Sequence, residues 1–233
     1  MAVAFRSSST NGGGFGTTLT VTVPAGTLDD DLMVLNFHLE VLGKTLGGLS
    51  AWTLVNQIQE STHAQVHEQF VYVKKAASEP ASYTITWDAT SQWRSSAIAS
   101  YSGVDTTIPQ DVAGSEATGN SATVTATGIT TVTADAMLVM CADSIDGGAR
   151  ASAWTSPLVE EVDVNETYLA DGIQAGAGAS GNKSATLSAS AGWCAQLLAL
   201  RPAAAGVTVG EMMAAQQQGS RWPFPDRRAV VAY

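Results

Sequence analysis

Asp29-Asp30-Asp31 is the densest set of carboxylates in the chain, and a calcium ion binds clustered oxygen donors of this kind. The spaced Asp-x-Asp-x-Asp-Gly order of a calcium loop is missing, so the run reads as a charged turn that discourages edge-to-edge sheet pairing. His63 and His67 stand four apart, a spacing that shares a zinc ion only on a helix face. Here it falls where a loop runs into a strand, and no metal centre is expected. Glu160, Glu161, Asp163 and Glu166 could supply the two carboxylates of a glycosidase. Alternation instead puts Glu160 and Glu161 on opposite faces of a strand, with the acids as surface charge. Gly176-Ala177-Gly178 lacks the Gly-Lys-Ser/Thr of a phosphate loop. No Gly-x-Ser-x-Gly elbow is present, and the three histidines all fall within residues 38–67, which leaves a nucleophile without a base. The sequence therefore predicts no catalytic residues, no cofactor and no enzyme.

Trp52, Trp87, Trp93, Trp154 and Trp193 could stack sugars. Four of them recur as the pairs Trp52/Trp154 and Trp93/Trp193, which favours packing. Trp87 has no aromatic counterpart and is the expected exposed exception, a glycan-contact candidate. A second set lies past Pro202: Met212, Met213, Trp222, Phe224, Arg227, Arg228, Val230 and Tyr233. Disordered tails are poor in aromatics, so this one reads as an arm that docks on a protein surface, in cis or in trans. Val209 to Gln218 could form a short helix, and Trp222-Pro223-Phe224-Pro225 holds the chain extended.

The elements that carry these residues repeat. Thr20-Val21-Thr22-Val23, Asp31-Leu32-Met33-Val34, Trp52-Thr53, Phe70-Val71-Tyr72, Tyr83-Thr84-Ile85-Thr86 and Trp93 with Ala97-Ile98-Ala99 form one series. Thr123-Val124-Thr125, Asp135-Ala136-Met137-Leu138-Val139, Trp154-Thr155, Thr167-Tyr168-Leu169, Ala185-Thr186-Leu187-Ser188 and Trp193 with Leu197-Leu198-Ala199 form its echo. Side chains alternate with period two throughout. In Leu32 to Leu42, for example, Leu32, Val34, Asn36, His38 and Glu40 share one face, while Met33, Leu35, Phe37, Leu39 and Val41 share the other. Gly- and Pro-rich turns, such as Asn11-Gly12-Gly13-Gly14, separate the strands. Neither half has strands enough to cover its own apolar faces. The expected fold is all-β: one two-sheet antiparallel β-sandwich of jelly-roll or Greek-key type, with about a dozen strands. The body spans residues 1–202, with pseudo-repeats at about 17–104 and 122–201. A linker and extended C-terminal arm occupy 203–233.

The chain has 233 residues, enough to bury a large core unaided. Its net charge of −10 repels phosphate backbones, and no basic stripe offsets it, so no nucleic-acid partner is expected. No run approaches the roughly 18–20 apolar residues of a membrane span. The opening residues lack a secretory leader pattern, which suggests synthesis in the cytoplasm. Cys141 and Cys194 sit in apolar runs and read as buried free thiols, although a bridge between the repeats would be possible.

Thr20-Val21-Thr22-Val23-Pro24-Ala25-Gly26-Thr27, Asp31-Leu32-Met33-Val34 and Trp52-Thr53-Leu54-Val55 share a pattern with Val73-Lys74-Lys75-Ala76-Ala77-Ser78-Glu79-Pro80-Ala81-Ser82-Tyr83-Thr84-Ile85-Thr86-Trp87. Tyr101-Ser102-Gly103-Val104-Asp105 and Leu197-Leu198-Ala199-Leu200-Arg201-Pro202 complete it. Together they resemble a family of β-sandwich modules encoded in the structural gene clusters of tailed phages and prophages. The resemblance covers nearly all of residues 2–202. It implies a virion component made in the host cytoplasm, either a capsid decoration protein or a tail or fibre module. It brings no catalytic residues. The partners expected are other virion proteins (a major capsid or tail protein) and further copies of the chain. The alternative expectation is a carbohydrate-binding adsorption module that recognises host glycans.

Overall fold

In a computed structural model, the structure describes residues 2–88, 92–145 and 150–204. The first repeat contains β1 (Ala4–Gly16), β2 (Thr18–Thr22), β3 (Leu32–Leu39), β4 (Thr53–Glu60), β5 (His67–Lys75), β6 (Ser82–Thr86) and β7 (Gln92–Ser102). The second contains β8 (Gln110–Ala126), β9 (Thr130–Thr131), β10 (Ala136–Ser144), β11 (Ala151–Ser152), β12 (Val159–Val164), β13 (Thr167–Gln174), β14 (Gly178–Ala179) and β15 (Lys183–Leu200). The described residues form an all-β antiparallel sandwich and contain no helix.

The duplication is visible strand by strand. One sheet runs β1-β7-β3-β5-β4, and the other contains β8-β15-β10-β13-β12 in the corresponding order, with β11 as a short extra edge on β15. Register is preserved as well as order. Val21 pairs with Tyr83 across β2 and β6, and its counterpart Val124 pairs with Ala185 across β8 and β15. In the first repeat this ribbon is a separate two-stranded sheet. In the second it is continuous with the main sheet through the long strands β8 and β15. The sheets stack so that β4 lies on β8 and β1 lies on β12, which exchanges equivalent strands as an internal twofold axis would.

Period-two alternation gives each main strand two buried faces. On β3, Met33, Leu35, Phe37 and Leu39 pack outward against Leu19, Val21, Ile85, Trp52 and Trp87 of their own repeat. On β10, Leu138 and Met140 pack the same way against Val124, Leu187 and Trp193. Leu32, Val34, Val71, Val73 and Tyr101 face inward onto Met137, Val139, Cys141, Leu169, Leu198 and Leu200. The expectation of a shared interior holds. The expectation that neither half covers its own faces does not, because each ribbon roofs the outer face of its sheet and creates a further core. A buried Val, Leu or Phe side chain contributes about 1.5–3 kcal/mol, so all three layers matter.

Two local departures have clear causes. Gly12 and Gly13, expected in a turn, lie inside β1, where positive φ angles of 107° and 80° accompany a register shift against β7. Glycine adopts that backbone without steric cost. The sequence alignment of Asp31 with Asp135 is also one residue off. Asp30 and Asp135 share a positive φ, and each amide donates to the carbonyl of an alanine, Ala76 or Ala175.

Near Gly103 three stretches of chain converge. A Cβ on Gly103 would lie 2.2 Å from the Ala2 carbonyl oxygen, Ala203 donates its amide to the Gly103 carbonyl, and Val104 bridges to Pro202.

Candidate functional site

Along the inward face of β3 the residues run Leu32, Val34, Asn36, His38. Along β10 they run Met137, Val139, Cys141, Asp143. β5 contributes Val73, Val71, Gln69 and His67, read backwards. One end of the seam between the sheets is thus apolar and the other polar. Asn36, His38, His67, Gln69, Ser95, Asp143 and Thr167 are all fully buried.

Buried polar groups must find partners, and these do so largely across the seam. Asn36 donates its amide to the Ala142 and Tyr168 carbonyls at 2.9 and 3.1 Å and accepts from Gln69 at 3.0 Å. Ser95 and Thr167 share a hydroxyl contact of 2.5 Å. Asp143 is the hub. One carboxylate oxygen lies 3.1 Å from His38 Nδ1, and the other lies 3.1 Å from His67 Nε2 and accepts the Cys194 amide at 3.2 Å. On its far side, His38 Nε2 is 3.6 Å from Glu166 Oε2. With Asp30 matched to Asp135, His38 and Asp143 occupy equivalent positions of the two repeats, so the duplicated position has diverged into a complementary pair.

Burial disfavours charge on His38, but the Asp143 hydrogen bond and the charges of Asp143, Glu166 and Glu40 together raise its pKa above the ordinary value. Burial also opposes ionisation of Asp143, and the two imidazoles outweigh it and lower the carboxyl pKa. Burial pushes both thiols up, Cys141 and Cys194, with Asp143 adding to the effect. Both cysteines are free. A histidine held by a carboxylate could act as a general base, but here it is sealed between two sheets and the neighbouring thiols are held protonated. Ligand atoms of His38, His67 and Asp143 lie within 4.8 Å of one another, as do those of His38, Glu40 and Glu166. This end of the seam could hold a metal ion.

The residues singled out from the sequence scatter elsewhere. Asp31 is buried against the Arg6 guanidinium, Asp30 pairs with Lys75, and Asp29 accepts the Ser78 amide, so the three carboxylates do not converge. Arg150 pairs with Asp163 and Trp154 donates to Glu160. Glu166 is buried beside His38, which corrects its reading as surface charge. Trp52, Trp154 and Trp193 pack into or against the cores, and Trp93 meets Phe15 edge to face. Trp87 corrects the expectation of an exposed ring. It is 6% exposed and packs edge to face on Phe37, because the main sheet needs that indole to finish its outer core. The arm residues Met212, Met213, Trp222, Phe224, Arg227, Arg228, Val230 and Tyr233, and the expected helix from 209, lie outside the described residues.

Sequence reasoning missed the His38–Asp143–His67 cluster, although a signal was present. Asn36 and His38 continue the face begun by Leu32 and Val34 in a strand too apolar to be solvated. A second feature is legible only in three dimensions. Leu28, Ile108 and Val132 are 58%, 51% and 65% exposed. Leu28 and Val132 precede β3 and β10, and Ile108 precedes Pro109, whose carbonyl accepts the Arg201 amide. All three lie in the loops at the end of the sandwich where β3 and β10 begin. No protein-family model, curated protein or solved structure matches this chain.

Proposed function

We propose that this chain is a non-enzymatic structural protein of a phage particle, a capsid decoration protein that stabilises the shell by gripping its neighbours. The observation that carries this reading is the exposure of the apolar side chains of Leu28, Ile108 and Val132 in loops at the end where the body's last strand finishes. We read these exposed apolar side chains as part of an interaction surface. The buried polar set of Asn36, His38, His67 and Asp143 joins the two sheets. The C-terminal arm extends the grip: Trp222 and Phe224 fill pockets on a neighbouring subunit, and Arg227 to Tyr233 adds a strand to an exposed edge. Aromatic anchors of this kind carry about 2 kcal/mol or more each. The glycan-binding alternative loses its best residue with the burial of Trp87.

Truncation after Ala203 tests the proposal. The shortened protein should keep its circular dichroism spectrum and melting temperature yet fail to enter particles. Normal occupancy of truncated protein in purified particles would refute the arm's role. Occupancy unchanged by Leu28→Ser with Val132→Ser would refute the role of these exposed loop residues.

A further inference from the structure

We propose that His38, His67 and Asp143 bind one divalent transition-metal ion of the zinc class, which clasps the two repeats together across the seam. The donor set is of the right chemistry, since imidazole nitrogen and carboxylate oxygen are both zinc ligands. Asp143 turns one oxygen to each ring, so three side chains offer two nitrogens and two oxygens. Donors about 2.0–2.1 Å from a tetrahedral ion lie about 3.3 Å apart. Each ring nitrogen lies 3.1 Å from one oxygen of the carboxylate, and one ligand atom from each of the three residues lies within 4.8 Å of the others, so the ion would draw the two rings together around Asp143. Binding would release any proton carried by the coordinating nitrogens.

The surroundings favour a cation. Metal-bound histidines usually present their other nitrogen to a carboxylate, and His38 Nε2 faces Glu166 at 3.6 Å. Asp143 is fully buried and contacts two imidazoles and a backbone amide. His67 Nδ1 is buried and has no hydrogen-bond partner among the described residues. The ligands also come from both sheets, His38 on β3 and His67 on β5 against Asp143 on β10. An ion there cross-links the halves without a disulfide.

The full chain, unfolded in urea with EDTA and refolded with either EDTA or a small excess of zinc chloride, tests this. The expected result is one zinc per chain after gel filtration, measured by mass spectrometry, with a higher melting temperature than the EDTA sample. Cobalt(II) in place of zinc should show visible absorption bands of a four-coordinate site. His38→Gln and Asp143→Asn should lose the ion, and Glu166→Gln should weaken binding by about 10–100-fold. His63→Gln should leave binding unchanged. If the ligand variants fail to fold, the wild-type cobalt spectrum and the zinc-dependent melting shift decide the question. Two results would overturn the proposal. One is a refolded chain with no zinc and no melting shift, meaning that protons alone bridge the cluster. The other is zinc retained at full stoichiometry by folded His38→Gln.

Discussion

Asp171 offers the sharpest test of how this seam is held. It lies on β13 at the apolar end, 6% exposed. Burial and the nearby charge of Glu161 push its pKa from 3.8 to about 7, and the Tyr101 hydroxyl offsets part of that rise. A carboxyl that binds its proton more tightly folded than unfolded makes the native state less stable as pH rises from about 4 to about 7. Three pKa units correspond to about 4 kcal/mol, and the solvent that still reaches the carboxylate reduces this to about 2–4 kcal/mol. Asp171→Asn keeps the shape and removes the charge. Urea unfolding at pH 4.5 should find the two proteins within about 1 kcal/mol of each other, while at pH 8 the variant should be more stable by about 2–4 kcal/mol. Taking the difference between the proteins cancels the titration of His38 and Asp143. Equal stability at pH 8, or a variant that is less stable there, would show that Asp171 ionises without cost and that the seam is wetter at this end than its packing implies.

Gly48→Ala should cost at least about 2 kcal/mol by chemical denaturation, since Gly48 has φ of 81° and an added Cβ would meet the Thr84 carbonyl oxygen at 2.0 Å. Asn36→Ala should destabilise by about 1–3 kcal/mol through loss of the bridge to the Ala142 and Tyr168 carbonyls, with the far-ultraviolet spectrum unchanged. Cys141 and Cys194 should react with a thiol reagent about a thousandfold more slowly than in urea, and prompt labelling of native protein would contradict their burial.

Most of the fold could be read from sequence because it is written in alternation. Alternation marks Val159 to Val164 as the strand the structure shows, and it separates the two faces of β3 residue by residue. What escaped were segments where polarity or glycine hides the period. β4 carries Asn56, Gln57 and Gln59, and the first half of β8 carries Gly114, Gly119 and Asn120, so neither shows an apolar stripe. The lack of an aromatic counterpart to Trp87 in the second repeat does not signal exposure. Phe37, on β3 of the main sheet beneath the ribbon, packs edge to face against that indole. The polar cluster escaped for a different reason. His38 and Asp143 are 105 residues apart, and nothing local tells either residue that the other is its partner until the sheets are stacked.

The convergence at Gly103 has an engineering consequence. Ala2 and Ala203 both touch that glycine, so the body's two ends share one corner with the crossing between the repeats. A short tether could join those ends into a closed ring, which could then be reopened at a surface loop elsewhere without reordering a single strand. Peptides fused to either end of the body would emerge side by side, an arrangement suited to displaying paired cargo.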